Sequence, residues 1–106
     1  MAVQTFHTKE QILKLLEENR EQIKEFGVSK LGLFGSYAKG AQTEDSDMDF
    51  YVEFNDGKKT FDNLMNLAFY LEDHLGHKVD LLTDKSVSER FRNVMEKDIH
   101  YVELHT

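Results

Sequence analysis

The stretch GSYAKGAQTEDSDMDFYVEF, residues 35–54, joins a glycine–serine turn to a run that carries two acids, Asp47 and Asp49. From Asp47 to Phe54, polar residues alternate with apolar ones, which is the period-two pattern of a half-buried β-strand. Because side chains two apart on a strand point to the same face, the pattern predicts that Asp47 and Asp49 project together. Two adjacent carboxylates repel each other unless a cation lies between them.

A third acid, Asp80, lies inside the apolar run of residues 79–82, which predicts another strand. An acid there needs a partner, because an unpaired buried charge is costly. If the two predicted strands are neighbours, Asp80 completes a cluster of three carboxylates, and oxygen-rich clusters suit magnesium or manganese. The alternatives are a solvated acidic face and, for Asp80, an ion pair with Lys78 or Lys85.

Gly35 and Ser36 stand between a predicted short buried strand, residues 30–34, and a predicted short helix at 36–41. The free N–H groups at a helix N-terminus bind phosphate, and a glycine lets phosphate approach the backbone. A phosphate-binding turn that faces metal-holding carboxylates is the arrangement used for in-line displacement at phosphorus. Tyr37 could stack on a base or pack on its neighbours, and the sequence leaves both open.

The rest of the pattern predicts one α/β domain over residues 1–106, with a small mixed β-sheet flanked by helices. The remaining predicted elements are a helix from the Thr8 capping box to Gly27, a polar loop at 41–46, a helix from the Thr60 cap to Gly76, a helix from a Ser86–Glu89 capping box, and a short edge strand or extended arm at 99–104. The buried helix faces are expected to include Phe61, Phe91, Val94 and Met95.

Composition excludes several classes of function. With 13 basic and 20 acidic residues and a net charge of −7, the chain lacks the basic face of a protein that binds nucleic acid directly. It has no cysteine, which excludes thiolate chemistry. It has no apolar run long enough for a membrane helix and no secretion signal, so we expect a cytoplasmic protein. His74 and His77, on either side of Gly76, are expected at the surface.

Gly35-Ser36, Asp47-x-Asp49 after a gap of ten residues, and the later Asp80 together resemble the signature of the DNA polymerase beta-like nucleotidyltransferase superfamily. The resemblance is closer to its minimal nucleotidyltransferase (MNT) branch, and it runs from about Ile12 to the C-terminus. Further positions that fit the branch are Ala38, Gly40 and Ser46.

The resemblance implies the polymerase beta-like nucleotidyltransferase fold and magnesium-dependent transfer of AMP from ATP to a hydroxyl, with pyrophosphate as the leaving group. By position, Asp47 and Asp49 would hold two magnesium ions, and Asp80 would hold the catalytic one and take the acceptor's proton. Gly35 and Ser36 would bind the triphosphate. The family often has arginine where this chain has Lys39. Lys39 is therefore a candidate phosphate contact that keeps the positive charge but lacks the bidentate hydrogen bonding of arginine.

Minimal nucleotidyltransferases are commonly antitoxins whose partners are HEPN-domain toxins, so the resemblance implies a hetero-oligomer. Such an antitoxin would adenylylate a tyrosine of the toxin, bind the toxin, or do both. The short chain leaves little room for an acceptor-binding domain, which favours an acceptor on a second protein. The alternatives are a non-catalytic binding module, an aminoglycoside-type small-molecule nucleotidyltransferase and, least favoured by the acidic surface, a template-copying polymerase.

Overall fold

The computed structural model describes residues 8–43 and 46–104. Residues 44 and 45 of the predicted loop, and both ends of the predicted 1–106 domain, lie outside the described residues. The elements are α1 (Lys9–Glu18), α2 (Arg20–Glu25), β1 (Val28–Phe34), α3 (Ser36–Lys39), β2 (Met48–Phe54), α4 (Phe61–Leu75), β3 (Val79–Thr83), α5 (Glu89–Met95) and β4 (His100–Tyr101). The predicted mixed α/β architecture is confirmed.

The strands form one sheet with the order β3-β2-β1-β4. Strand β1 is antiparallel to both β2 and β4, whereas β2 and β3 are parallel. The parallel register places Asp49 opposite Asp80, and the antiparallel register places Phe34 opposite Asp49. Asp49 therefore lies between the end of β1 on one side and Asp80 on the other. Of the two alternatives predicted for residues 99–104, the structure has the short edge strand, β4, which is limited to His100–Tyr101.

The apolar side chains of β2 pack into the main core, together with those of α1 and α4. The second face of the sheet carries a smaller cluster in which Phe34, Tyr51 and Met95 are buried. The sequence predicted a strand with one solvated face, and this was wrong for Tyr51, whose exposed fraction is only 1%. Met95 of α5 packs in this cluster, so α5 covers the part of the second face that carries Phe34 and Tyr51.

Side-chain caps define the helix ends that the sequence predicted. Thr8 Oγ1 accepts a hydrogen bond from the Gln11 N–H (3.1 Å), and Gln11 Oε1 accepts one from the Thr8 N–H (2.9 Å), which completes the capping box. Thr60 caps α4 by accepting from the Asn63 N–H. Gly76 ends α4 in the left-handed conformation.

The prediction of one continuous helix up to Gly27 was wrong. The helix is interrupted at Asn19, which separates α1 from α2. The Asn19 side chain donates a hydrogen bond to the Leu15 carbonyl oxygen (2.8 Å). Asparagine side chains compete with helical backbone bonds in this way, and the apolar periodicity on either side concealed the break.

The predicted Ser86–Glu89 capping box was also wrong, because Ser88 is the residue that caps α5. Ser88 accepts a hydrogen bond from the Phe91 N–H (3.1 Å). The Ser86 hydroxyl instead accepts from the Thr83 N–H (2.7 Å) and donates to the Thr83 carbonyl oxygen (3.0 Å), which closes the turn after β3.

Three residues predicted to be buried on helix faces are exposed. Phe61, the first residue of α4, is 75% exposed, and Phe91 and Val94 on the short helix α5 are 40% and 55% exposed. On α5, only Met95 is buried. Among the helices of the described residues, none has both the length and the apolar character needed to cross a membrane.

Candidate active site

The three predicted acids lie at the N-terminal ends of β2 and β3. Asp49 is half-buried on β2 and lies in parallel register with Asp80 of β3. Asp47 is exposed and directly precedes β2. The prediction that β2 itself includes Asp47 was wrong by one residue. Even so, the charges of both Asp47 and Asp80 act on the Asp49 carboxyl, so the three acids form one electrostatic group.

The pKa of Asp49 is raised to about 6 from its usual 3.8. Burial contributes most, followed by the negative charge of Asp80 and then that of Asp47. The folded protein therefore holds a carboxylate in a place where its charge is disfavoured. A cation at this place would relieve both the repulsion and the desolvation, so the residues present fit a divalent metal ion.

Replacing Asp49 with asparagine is expected to stabilise the metal-free protein at pH 7 by about 1 kcal/mol, after allowance for solvent screening. The folded pKa lies above the unfolded value, so the ionised group opposes folding above about pH 6. This opposition fades as the pH falls towards 4. Urea unfolding in EDTA should therefore show a smaller difference between wild type and variant at pH 4.5 than at pH 7. Equal differences at the two pH values would contradict the raised pKa.

Gly35 connects β1 to α3 in a conformation that only glycine adopts readily, with φ +79° and ψ −153°. A Cβ atom at this position would collide with Oδ2 of Asp49 and would lie 3.2 Å from its Cγ. The glycine thus makes room for the carboxylate of the facing strand. The sequence assigned this residue to phosphate approach, and the contact with Asp49 was not foreseen.

Ser36 and Lys39 lie on α3, a single helical turn. The Lys39 N–H donates to the Gly35 carbonyl oxygen (3.1 Å), which closes the turn. The Lys39 side chain is exposed, and its Nζ lies 3.5 Å from the Asp98 carboxylate. Lys39 is therefore next to the turn, as a phosphate contact would need to be, and it already has an acidic neighbour.

Asp80 has a different environment from the one predicted. The sequence indicated an acid buried in an apolar strand, but Asp80 is exposed on the edge strand β3, where water can solvate its charge. Within the described residues, neither Lys78 nor Lys85 lies within ion-pairing distance of it. The alternative of a lysine partner is thus not supported.

Among residues 8–43 and 46–104, no group of three or more acidic, histidine or cysteine side chains is arranged to hold a metal ion. Magnesium is usually bound by one or two carboxylates together with substrate phosphates rather than by a protein cage. The open cluster of Asp47, Asp49 and Asp80 is of this kind, so it suits an ion shared with a nucleotide.

Tyr37 and His77 connect the turn to the strands, and the sequence analysis missed this pair. Tyr37 is fully buried, so it packs rather than stacking on a base, and His77 is half-buried rather than at the surface. His77 Nδ1 donates to the Lys78 carbonyl oxygen (3.0 Å), so its Nε2 can accept from the Tyr37 hydroxyl (3.2 Å). The same carbonyl accepts from the Met48 N–H. Burial and then the charge of Asp47 raise the pKa of Tyr37. No sequence signal joins residues 40 positions apart.

Comparison with known families agrees with this geometry. A nucleotidyltransferase domain model matches residues 12–102. The chain belongs to this nucleotidyltransferase family. The family assignment made from the spacing of glycine, serine and the acids is thereby confirmed, and the chain is a nucleotidyltransferase.

Two relatives of this nucleotidyltransferase are themselves assigned to protein adenylylation. A protein of Methanocaldococcus jannaschii, provisionally assigned as a protein adenylyltransferase, is 40% identical over 98 residues, which cover 90% of this chain and 98% of the relative. The protein adenylyltransferase MntA of Thermococcus cleftensis is 34% identical over 96 residues, with 90% and 96% covered.

Solved structures place this nucleotidyltransferase in the minimal branch of the family. A structure provisionally described as a minimal nucleotidyltransferase matches with a TM-score of 0.70 and 30% identity, covering 83% of this chain and 93% of that one. A toxin–antitoxin structure with AMP-PNP matches with a TM-score of 0.64 and 25% identity, covering 81% and 71%. The predicted polymerase beta-like fold is thus confirmed.

Proposed function

We propose that this nucleotidyltransferase transfers AMP from ATP to a hydroxyl, expected to be a tyrosine hydroxyl, of a partner HEPN toxin and so acts as its antitoxin. The observation that carries the proposal is the position of Asp49. It faces the Gly35 turn on one side and Asp80 on the other, with Asp47 acting on it as well. The turn proposed to bind phosphate therefore lies beside Asp49, on which the charges of Asp47 and Asp80 act.

Gly35, Ser36 and Lys39 would bind the triphosphate of ATP. Gly35 leaves the backbone open, and Ser36 begins α3 with a hydroxyl beside the N-terminal N–H groups of that helix. Lys39 forms an ion pair with Asp98 in which both side chains are partly exposed. Exposed ion pairs contribute little to stability, so a phosphate could replace Asp98 as the partner of Lys39 at small cost.

Asp47, Asp49 and Asp80 would hold magnesium. Magnesium bound there would neutralise the charge between the carboxylates and the phosphates and would polarise the reacting phosphoryl group. The protein's own contribution is to hold Asp49 and Asp80 side by side through the parallel register of β2 and β3, with Asp47 directly before β2. In the metal-free state this arrangement is energetically costly, because burial and then the charges of Asp80 and Asp47 raise the pKa of Asp49.

In the proposed reaction, the acceptor oxygen forms a bond to the α-phosphorus. The bond from that phosphorus to the bridging oxygen breaks, pyrophosphate leaves, and the acceptor's proton passes to Asp80. In-line displacement requires the acceptor and the leaving group on opposite sides of the phosphorus. With pyrophosphate on the Gly35 side, the acceptor enters from the side of β3, where Asp80 is exposed.

The partner is proposed from the relatives and from the site itself. MntA is named a protein adenylyltransferase, and the AMP-PNP structure is a toxin–antitoxin. On this chain, exposed Asp80 leaves the acceptor side open to a second protein. HEPN toxins are the usual partners of the minimal branch that the sequence resembles, which supports a toxin as the acceptor.

The test is to incubate the purified chain with magnesium and ATP labelled at the α-phosphate, with and without the protein encoded beside it. We expect label on the partner, located by mass spectrometry at a hydroxyl side chain, and no label when EDTA is present. ATP labelled at the γ-phosphate is the matched control, because its label leaves with pyrophosphate and none should reach the partner. Complex formation without label would favour the non-catalytic binding module, and efficient labelling of a small molecule alone would favour the aminoglycoside-type alternative.

A further inference from the structure

A cavity of about 180 Å³ lies between the Gly35 turn and α5. Phe34 and Met95 form its buried wall, and Phe91 and Val94 form its exposed wall. It adjoins the proposed triphosphate site because Gly35 itself is part of its lining. Lys39 and Asp98, which pair with each other at 3.5 Å, also line it.

We propose that this cavity holds the nucleobase of the donor nucleotide. The inference rests on the proposed function, since it places the remainder of the same ATP whose triphosphate lies at Gly35. The contiguity of the cavity with the turn supports this occupant, because Gly35 and Lys39 line the cavity and also belong to the triphosphate site.

The aromatic lining suits the flat faces of a base. The Phe91 ring meets Phe34 edge to face, with centroids 6.1 Å apart and planes at 77°. This contact fixes the ring while leaving it 40% exposed, and Val94 beside it is 55% exposed. Bases stack on exposed aromatic rings of this kind without needing hydrogen-bonding partners. The two exposed apolar residues of α5, which the core does not bury, thereby gain a role.

The acceptor is a poor candidate for the same cavity. In-line displacement puts the acceptor opposite the leaving pyrophosphate. The cavity is lined by Gly35 and Lys39, on the pyrophosphate side of the α-phosphorus, whereas the acceptor side is that of Asp80. A side chain of the partner protein placed in the cavity could not attack in line, so the nucleoside is the part of the reacting complex left to fill it.

The Lys39–Asp98 pair crosses the cavity lining from α3 to the residues after α5. The two side chains are 56% and 40% exposed, so the attraction between them is screened by water. A triphosphate that attracts Lys39 would open this pair and widen access from the turn to the aromatic wall. Triphosphate binding and base binding would then support each other.

The test compares two ligands on wild type and Phe91→Ala by isothermal titration calorimetry in magnesium buffer. One ligand is an ATP analogue with a methylene group between the α- and β-phosphorus atoms, which cannot donate AMP. The other is inorganic tripolyphosphate, which has no base. We expect Phe91→Ala to weaken binding of the analogue roughly 5- to 100-fold and to leave tripolyphosphate affinity unchanged.

Phe69→Ala is the matched control, because Phe69 is an exposed phenylalanine on α4, outside the cavity lining, and its loss should change neither affinity. Val94→Trp provides a second variant that fills the cavity from the surface, in case loss of the Phe34–Phe91 contact unfolds α5. It should weaken only the analogue. The inference would be overturned if a folded variant bound both ligands with equally reduced affinity, or bound both as tightly as wild type does. Wild type that binds neither ligand would overturn the proposed function itself.

Discussion

The double variant Asp47→Asn, Asp49→Asn is expected to lose adenylyl transfer by at least roughly 1,000-fold while remaining folded. Bound metal contributes several kcal/mol to stabilising such a transition state, and each factor of ten in rate corresponds to about 1.4 kcal/mol. The fold should persist because these carboxylates contribute repulsion to the metal-free protein. Transfer of labelled AMP to the partner measures the first effect, and thermal unfolding measured by circular dichroism gives the second.

Asp56→Asn makes the same chemical change at an exposed acid in the turn after β2 and is the matched control. It should retain wild-type transfer. If the double variant still transfers AMP, the assignment of Asp47 and Asp49 as metal ligands is wrong. If the double variant still neutralises the partner without transferring AMP, binding alone is enough to neutralise the partner, and catalysis is not needed.

The elements of the fold were predictable where local chemistry alone determines them. The Thr8 capping box, the Thr60 cap and the Gly76 stop each act within a few residues of the sequence, and each is confirmed. The break at Asn19 was not predicted, because the apolar spacing continues through it and only a side-chain bond to Leu15 reveals it. The prediction of buried helix residues was also partly wrong, because apolar periodicity does not show whether another element covers the apolar face of a helix.

The residues of the candidate site could be proposed from the sequence, but their geometry could not be predicted. Spacing identified Asp47, Asp49 and Asp80, yet the register that pairs two of them depends on β2 and β3 being parallel neighbours. The raised pKa of Asp49 follows from that register and from burial, which sequence alone does not give. The bond between Tyr37 and His77 joins distant positions, and a single sequence carries no trace of it.

The proposed site would allow an acidic chain to bind a triphosphate. The turn provides Gly35, the N–H groups of α3 and the cation of Lys39, which Asp98 partly neutralises. Repulsion between carboxylates and phosphates would dominate unless divalent ions accompany the nucleotide. Nucleotide affinity is therefore expected to depend on magnesium, since the cation has to offset the repulsion on both sides.

Gly35→Ala is expected to destabilise the protein by roughly 2 to 4 kcal/mol and to reduce transfer about 100-fold. The backbone at φ +79° and ψ −153° is strained for any residue with a Cβ atom. The new methyl group would also collide with Oδ2 of Asp49 and displace either the carboxylate or the turn. Urea unfolding measures the stability, and labelled transfer measures the activity.

Gly76→Ala is a control for a positive φ without a collision, because Gly76 has φ +63° and, among the described residues, no atom lies within 4 Å of a Cβ placed there. This substitution should destabilise the folded protein by only about 1 kcal/mol and leave AMP transfer unchanged. A double-mutant cycle with Asp49→Ala then isolates the collision. The Asp49→Ala substitution removes the two nearest atoms, Oδ2 and Cγ, and leaves the Cβ of residue 49 at 3.3 Å from the new methyl group. Gly35→Ala should therefore destabilise the Asp49→Ala protein less than it destabilises wild type. Equal costs in the two backgrounds would mean that backbone strain alone, and not the approach of Asp49, requires glycine at this turn.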